Sequence, residues 1–448
     1  MDGSGNVYVT GYSSTTWQGD GGTNPLHAHS GGADIVAVKL NSAGAYQWHT
    51  FYGSSSYDAG YFNAVDGSGN VYITGHSSAT WQGDGGTNPL HAHSGGGDIV
   101  ALKLTSAGAY QWHTFYGSSD YDEGYAIAVD GSVSNVYITG RSHATWQGDG
   151  GTNPLHAYTG NTDIVALKLT SAGAYQWHTF YGASNQDRGY DIAVDGTGGN
   201  VYLTGVSHAT WQGDGSTNPL HAYTGNYDLV VVKLTSAGAY QWHSFYGSSS
   251  GEDFGFTIAV DGSGNVYITG GSGATWQGDG GTNPLHAHSG GDDIVALKLT
   301  SAGAYQWHTF YGSSSDDDWG LGIVVDGSGN VCITGRSSAT WQGEGASPHP
   351  LHAHSGGNDI VALKLNSNGA YQWHTFYGSS SDDDWGYAIS VDVSGGNVYI
   401  TGYSHATWQG DGGTNPLHAH SRYGYTDIVV LKLTATPTQR LFLPLVVR

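Results

Sequence analysis

Seven times along the chain a tryptophan is followed by Gln-Gly and an acid: Trp17 with Asp20, Trp81 with Asp84, Trp146 with Asp149, Trp211 with Asp214, Trp276 with Asp279, Trp341 with Glu344 and Trp408 with Asp411. An aromatic face that stacks on sugar C–H groups, beside amides and carboxylates that bind hydroxyls, has the makings of a glycan site. The same residues also suit a scaffold, in which each Trp packs a long loop onto its blade and each acid caps a Gly turn. Close by lie His27/His29, His91/His93, His286/His288, His352/His354 and His418/His420, spaced so that both rings point the same way from extended chain. In two copies the second is Tyr158 or Tyr223, a change that no zinc shell survives, so the histidines read as loop packing. The turns Asp316-Asp317-Asp318 and Asp382-Asp383-Asp384 offer oxygens to Ca2+ but lack the alternating spacing of an EF-hand loop. No cofactor is expected, with Ca2+ at these two turns left open. One Asp of that turn recurs six times (Asp58, Asp122, Asp187, Asp253, Asp318, Asp384) and reads as an Asx-type turn.

What positions these residues is a repeat. The Trp-Gln-Gly tryptophans are spaced by 64, 65, 65, 65, 65 and 67 residues, and seven copies fill the 448-residue chain. Their bounds are 2–65, 66–129, 130–194, 195–260, 261–325, 326–391 and 392–433, with a tail at 434–448. Each copy has four short runs rich in Val, Ile, Tyr and Trp between clusters of Gly, Asp and Ser, and none has helical periodicity. Tight turns such as Asp66-Gly-Ser-Gly69 and Thr105-Ser-Ala-Gly108 make the strands antiparallel meanders. Apolar side chains on both faces require each sheet to be covered twice, which predicts an all-β fold in a single domain: a seven-bladed β-propeller.

Residues from Gly124-Tyr-Ala-Ile-Ala-Val129 through Asn135-Val-Tyr-Ile-Thr-Gly140, with the following Ala-Thr-Trp, Asp-Ile-Val-Ala-Leu-Lys-Leu and Gly-Ala-Tyr-Gln-Trp runs, resemble the bacterial SBBP repeat, named for a seven-bladed β-propeller. The pattern covers 2–433. The resemblance implies secreted or cell-surface bacterial proteins, usually without an assigned activity. The loop Gln-Gly-Asp-Gly-Gly-Thr-Asn-Pro-Leu-His-Ala-His is longer and richer in His than the family pattern.

Strand counting leaves the ring one pair short between Leu433 and Asp2. The tail is expected to supply the outer strand of the last blade, with Leu441 at the outer Trp position and Pro444 tolerated on an edge; its use as the first blade's inner strand is the alternative. Met1 stands where other copies have Val65 or Val129, so the natural chain is expected to extend upstream.

Composition narrows the partners. Asp+Glu 36 against Lys+Arg 13 gives a net charge of −23, which repels a phosphate backbone and excludes nucleic acid. One cysteine, Cys332, forms no intrachain disulfide, and the apolar tail is far shorter than the ~20 residues of a membrane span. Near-identical blades offer no unique nucleophile, base and orienting group, so no enzyme is expected. The reading is a monomeric, extracellular or cell-surface propeller without membrane insertion. It binds a glycan or protein multivalently on the rim bearing the long loops, or serves as a structural module of a larger surface protein. The Asp that opens the third strand and the Lys five residues on, as in Asp98 and Lys103, are read as blade-to-blade pairs.

Overall fold

β-branched and aromatic residues fit a pleated, half-buried surface, and the runs that carry them form the strands. The computed structural model describes residues 1–131, 135–345, 349–392, 396–420 and 426–434, and the backbone of 445–447. Strand β1 covers Val7–Ser13, β2 Asp34–Leu40, β3 Tyr46–Tyr52, β4 Asp58–Val65, β5 Val71–Ser77, β6 Asp98–Leu104 and β7 Tyr110–Tyr116. The sheet β4-β5-β6-β7 is an antiparallel meander, and the same order recurs to make a seven-bladed β-propeller. Among the described residues the first blade has three strands, β1-β2-β3, and the others four. Sequence repeat and blade are offset: repeat 66–129 ends in Asp122–Val129, which opens the third blade.

The chain forms two compact units, Met1–Pro219 with Val231–His243, and Leu220–Val230 with Ser244–Arg448. In the first unit, Ile35, Ala37, Trp48 and Tyr52 of one blade pack on Val71, Ile73, Val100, Leu102 and Phe115 of the next. The opposite face of that second blade, with Ile99, Ala101, Trp112 and Tyr116, packs on Val136, Ile138, Val165 and Leu167 of the third. The second unit repeats this with Ile294, Ala296 and Trp307 against Val361 and Leu363. Both faces of strands such as β2 and β6 are buried, as their continuous apolar runs require. Close approach of inner strands depends on glycine: a Cβ on Gly124 would sit 2.4 Å from Thr74 Oγ1 of the preceding blade.

Each Asp-Gly-Ser-Gly turn is held by its aspartate, with Asp66 Oδ1 accepting from Ser68 and Asn70 N–H at 2.9 Å. The lysines do join blades. Lys39 Nζ and Trp48 Nε1 both donate to the Ser106 carbonyl of the next blade, at 2.8 and 3.2 Å. The aspartate five residues before each lysine is not its partner, because five residues of strand span ~17 Å and end on the opposite face.

At the chain's end, Leu445–Val447 pairs antiparallel with Asp427–Thr434. Ile428 faces Val447 and Val430 faces Leu445. Placing Leu441 at the Trp position set Leu445 opposite Ile428, so the register differs by two residues, the smallest displacement that keeps a pleat's alternation. Leu441 and Pro444 lie outside the described residues.

Candidate functional site

The long segment 78–97 does not stand free on a rim. It runs along β7, the blade's outer edge, where Leu90 N–H donates to the His113 carbonyl (2.9 Å) and Phe115 N–H to the His91 carbonyl (3.3 Å). An outer strand left bare would invite pairing with another chain, and the loop covers it. Trp81 lies flat on the His113 ring, centroids 3.8 Å apart, with Phe115 edge-on at 5.7 Å. His113 Nε2 donates to the Trp81 carbonyl (3.2 Å), which leaves Nδ1 to accept the Tyr110 hydroxyl proton at 2.8 Å. Burial pushes His113 down to about 4, so the ring is neutral at physiological pH. Trp81, Trp146, Trp211, Trp276, Trp341 and Trp408 are 4–8% exposed, and Trp17 is half-buried. A sugar platform needs an open ring face, and these rings are covered by their own blades.

The acids of the same motif sit at the surface but join blades. Asp84, Asp149, Asp214 and Asp279 accept the hydroxyls of Tyr52, Tyr116, Tyr181 and Tyr246, at 3.1, 3.1, 3.4 and 3.4 Å. Asp20 and Glu344 are exposed and Asp411 is half-buried. The histidines are bonded to main chain: His91 Nδ1 to the Phe115 carbonyl at 2.8 Å, His93 Nε2 to that of Ser77 at 3.0 Å. Where Tyr158 replaces the second histidine, its hydroxyl donates to the His143 carbonyl at 2.7 Å, which explains the exchange.

The acidic runs do not converge. Asp316 and Asp317 are exposed while Asp318 is buried; Asp382 and Asp383 are half-buried, and Asp383 accepts from Asn358 N–H at 2.9 Å. Among the described residues no group of three or more His, Cys, Asp or Glu side chains could hold a metal ion.

The third member of each run belongs instead to a repeated buried junction. Asp58, Asp122, Asp187, Asp253, Asp318 and Asp384 open inner strands, and each faces the aspartate that opens the third strand of the preceding blade: Asp34, Asp98, Asp163, Asp228, Asp293 and Asp359. The inner-strand aspartate is not an Asx turn. It binds backwards: Asp122 Oδ2 accepts from Ser118 N–H and Oγ at 2.6 and 2.8 Å, and Oδ1 from Ser142 Oγ. A Ser or Thr four residues before the other aspartate adds a hydroxyl, as Ser94 does for Asp98 at 3.0 Å. Burial, reinforced by the opposing carboxylate, pushes Asp122 up to about 6 and Asp187 to about 7. Burial alone raises Asp163 to about 6. Both aspartates stand out in the sequence, and only their facing each other was missed; the accompanying Ser/Thr, present even in the loops that carry Tyr158 and Tyr223, is the signal that links them.

The non-repeated residues gather elsewhere, where inner strands begin and second strands end. In the first unit Tyr12 packs on Tyr57, Tyr57 on His76 and His76 on Tyr121. Arg141 lies over Tyr121 and pairs with buried Glu123 at 2.7 Å. In the second unit Arg336 is held between Trp319 and Trp385, 4.1 and 4.3 Å from the ring centroids. Tyr12 and Tyr57 are 55% and 41% exposed. Periodicity hides such residues, because they occupy the positions at which the copies differ.

Residues 241–274 match the SBBP family, a β-propeller repeat, and the same strand and turn pattern recurs in every blade. The chain carries an SBBP β-propeller repeat at residues 241–274. A regulatory protein, FlaEY of Caulobacter vibrioides, is 26% identical over 359 residues, covering 76% of this chain and 36% of that protein. The chain therefore spans about a third of the curated relative it matches. Among solved structures, tricorn protease is similar at 10% identity and a TM-score of 0.42, covering 98% of this chain and 36% of that one. An ulvan lyase is similar at 11% identity and a TM-score of 0.44, covering 89% and 87%.

Proposed function

We propose that this SBBP propeller is a non-enzymatic binding module of the extracellular space or cell surface. In each unit it takes a glycan or protein where the long loops depart, at that unit's own non-repeated aromatic and arginine residues. The supporting observation is the division of labour between repeated and unrepeated residues. Most repeated Trp, His and Tyr side chains are spent on packing, whereas the non-repeated Tyr12 and Tyr57 are exposed and the Trp319/Arg336/Trp385 sandwich is half-buried. Aromatic and Arg side chains carry most of the energy at binding surfaces, because they bring large contact area at little entropic cost.

The alternative is a purely structural module of a larger surface protein, favoured by the partial coverage of its relative. A glycan array followed by calorimetry separates the two. Saturable binding weakened at least tenfold by Trp385→Ala or Tyr57→Ala, and unchanged by Gln147→Ala, supports the binding rim. Absence of binding to every glycan, together with no protein partner recovered by the folded chain, favours the structural module.

A further inference from the structure

We propose that each of the six aspartate junctions binds one Ca2+ ion, held by the two facing carboxylates with hydroxyl and main-chain oxygens. The junction is built around an excess of acceptors. Ser94 Oγ lies 2.9–3.0 Å from both Asp98 oxygens and from the Gly117 and Ser118 carbonyls, yet it carries a single proton. In the third blade, Asp163 Oδ1 is buried without any hydrogen-bond partner, in a side chain 0% exposed. That oxygen is aimed at its opposite number. Asp163 Oδ1 and Asp187 Oδ2 each lie 2.8 Å from the point a Cβ on Gly182 would occupy, and glycine keeps the space between them open. Asp34 Oδ1 is orphaned in the same way beside Gly53.

Two buried like charges need a counter-charge, and at Asp163 the favourable charge acting on the carboxylate is that of His156. His156 already donates Nδ1 to the Phe180 carbonyl at 2.8 Å. The available donors are oxygens only. They come from two carboxylates, one hydroxyl and main-chain carbonyls, a mixed oxygen set of the kind Ca2+ accepts in flexible geometry, whereas Mg2+ demands a near-ideal octahedron. Because only two of the donors are acidic side chains and the rest are hydroxyl or main chain, the junction carries no sequence signature of a metal site. The assignment is independent of what the rim binds.

The test uses the whole chain, stripped with chelator and titrated at neutral pH with CaCl2 alone, by calorimetry and thermal melting. Expected are about six equivalents bound, one per junction, a melting temperature raised by several degrees, and a smaller response to MgCl2. Asp163→Asn should remove about one equivalent, and Asp149→Asn, an exposed acid outside the junctions, none. Should Asp163→Asn fail to fold, Thr224→Val removes the hydroxyl that bridges Asp228 and the Gly247 carbonyl and carries the same readout. A flat titration overturns the proposal. So does an equal loss in Asp149→Asn, which would mean diffuse attraction to the −23 charge.

Discussion

The tryptophan loop and the aspartate junction recur together around the propeller, both buried and both built from side chains that could do chemistry. They differ in whether their polar groups are satisfied. Around Trp276, the His308 ring receives the indole face at 3.9 Å, donates to the Trp276 carbonyl and accepts from Tyr305, and the indole N–H donates to Ser272 Oγ. The imidazole has no capacity left over. Around Asp163, one carboxylate oxygen has no partner and faces a second carboxylate. Repetition alone therefore does not separate a scaffold from a site; between Trp276 and Asp163 an account of donors and acceptors does, although the indole N–H groups of Trp81 and Trp146 are also left without a partner.

The largest effect that would break this contrast is at the loop. Trp146→Ala removes a buried indole and is expected to cost ~3–5 kcal/mol in a urea melt; a loss below ~1 kcal/mol would return the tryptophans to the candidate ligand surface. Gly148→Ala should follow at ~1–3 kcal/mol from overpacking, since its Cβ would lie 2.1 Å from the Tyr175 ring. Circular dichroism melts of the two variants rank them.

Acidity sharpens the contrast, because the two regions respond to pH with opposite signs. Folded Asp187 keeps its proton up to about 7, against about 4 when unfolded. Its contribution to stability is complete below about pH 4 and is lost as pH rises to about 7. His178, held near 4 by burial, contributes fully above about pH 6.5 and loses its contribution as pH falls towards 4. In chelator, Asp187→Asn should therefore lose less stability than the parent between about pH 5 and pH 8, by on the order of 1–4 kcal/mol. A pH profile identical to the parent's would contradict the facing carboxylates. The smallest effect is at the surface: Gln147→Ala removes an exposed hydrogen bond to Asn153 (3.0 Å) and should stay within about 0.5 kcal/mol of the parent by the same melts.

Much of the fold is written in local chemistry. The strands follow from Val-Tyr-Ile-Thr and Asp-Ile-Val-Ala-Leu-Lys-Leu runs, the turns from Asp66-Gly-Ser-Gly69 and its copies, and the blade number from the 64- to 67-residue spacing of Trp17 to Trp408. The site was less legible. The motif Trp81-Gln82-Gly83-Asp84 has the composition of a sugar platform. Whether its indole faces solvent depends on His113, a residue 32 positions away that the loop reaches only by folding back along β7. In the same way Asp98 and Asp122 each look like turn residues, and they become a pair only when a third strand and the next blade's inner strand are brought edge to edge.

The sequence by itself determined the period, the strand chemistry and the sheet order, because these depend on nearest neighbours and on a pleat of two residues. The tertiary structure decided which repeated side chains are spent and which are left over. Burial and hydrogen-bond satisfaction are properties of contacts between blades, and identical residues in every copy carry no trace of them in order or spacing.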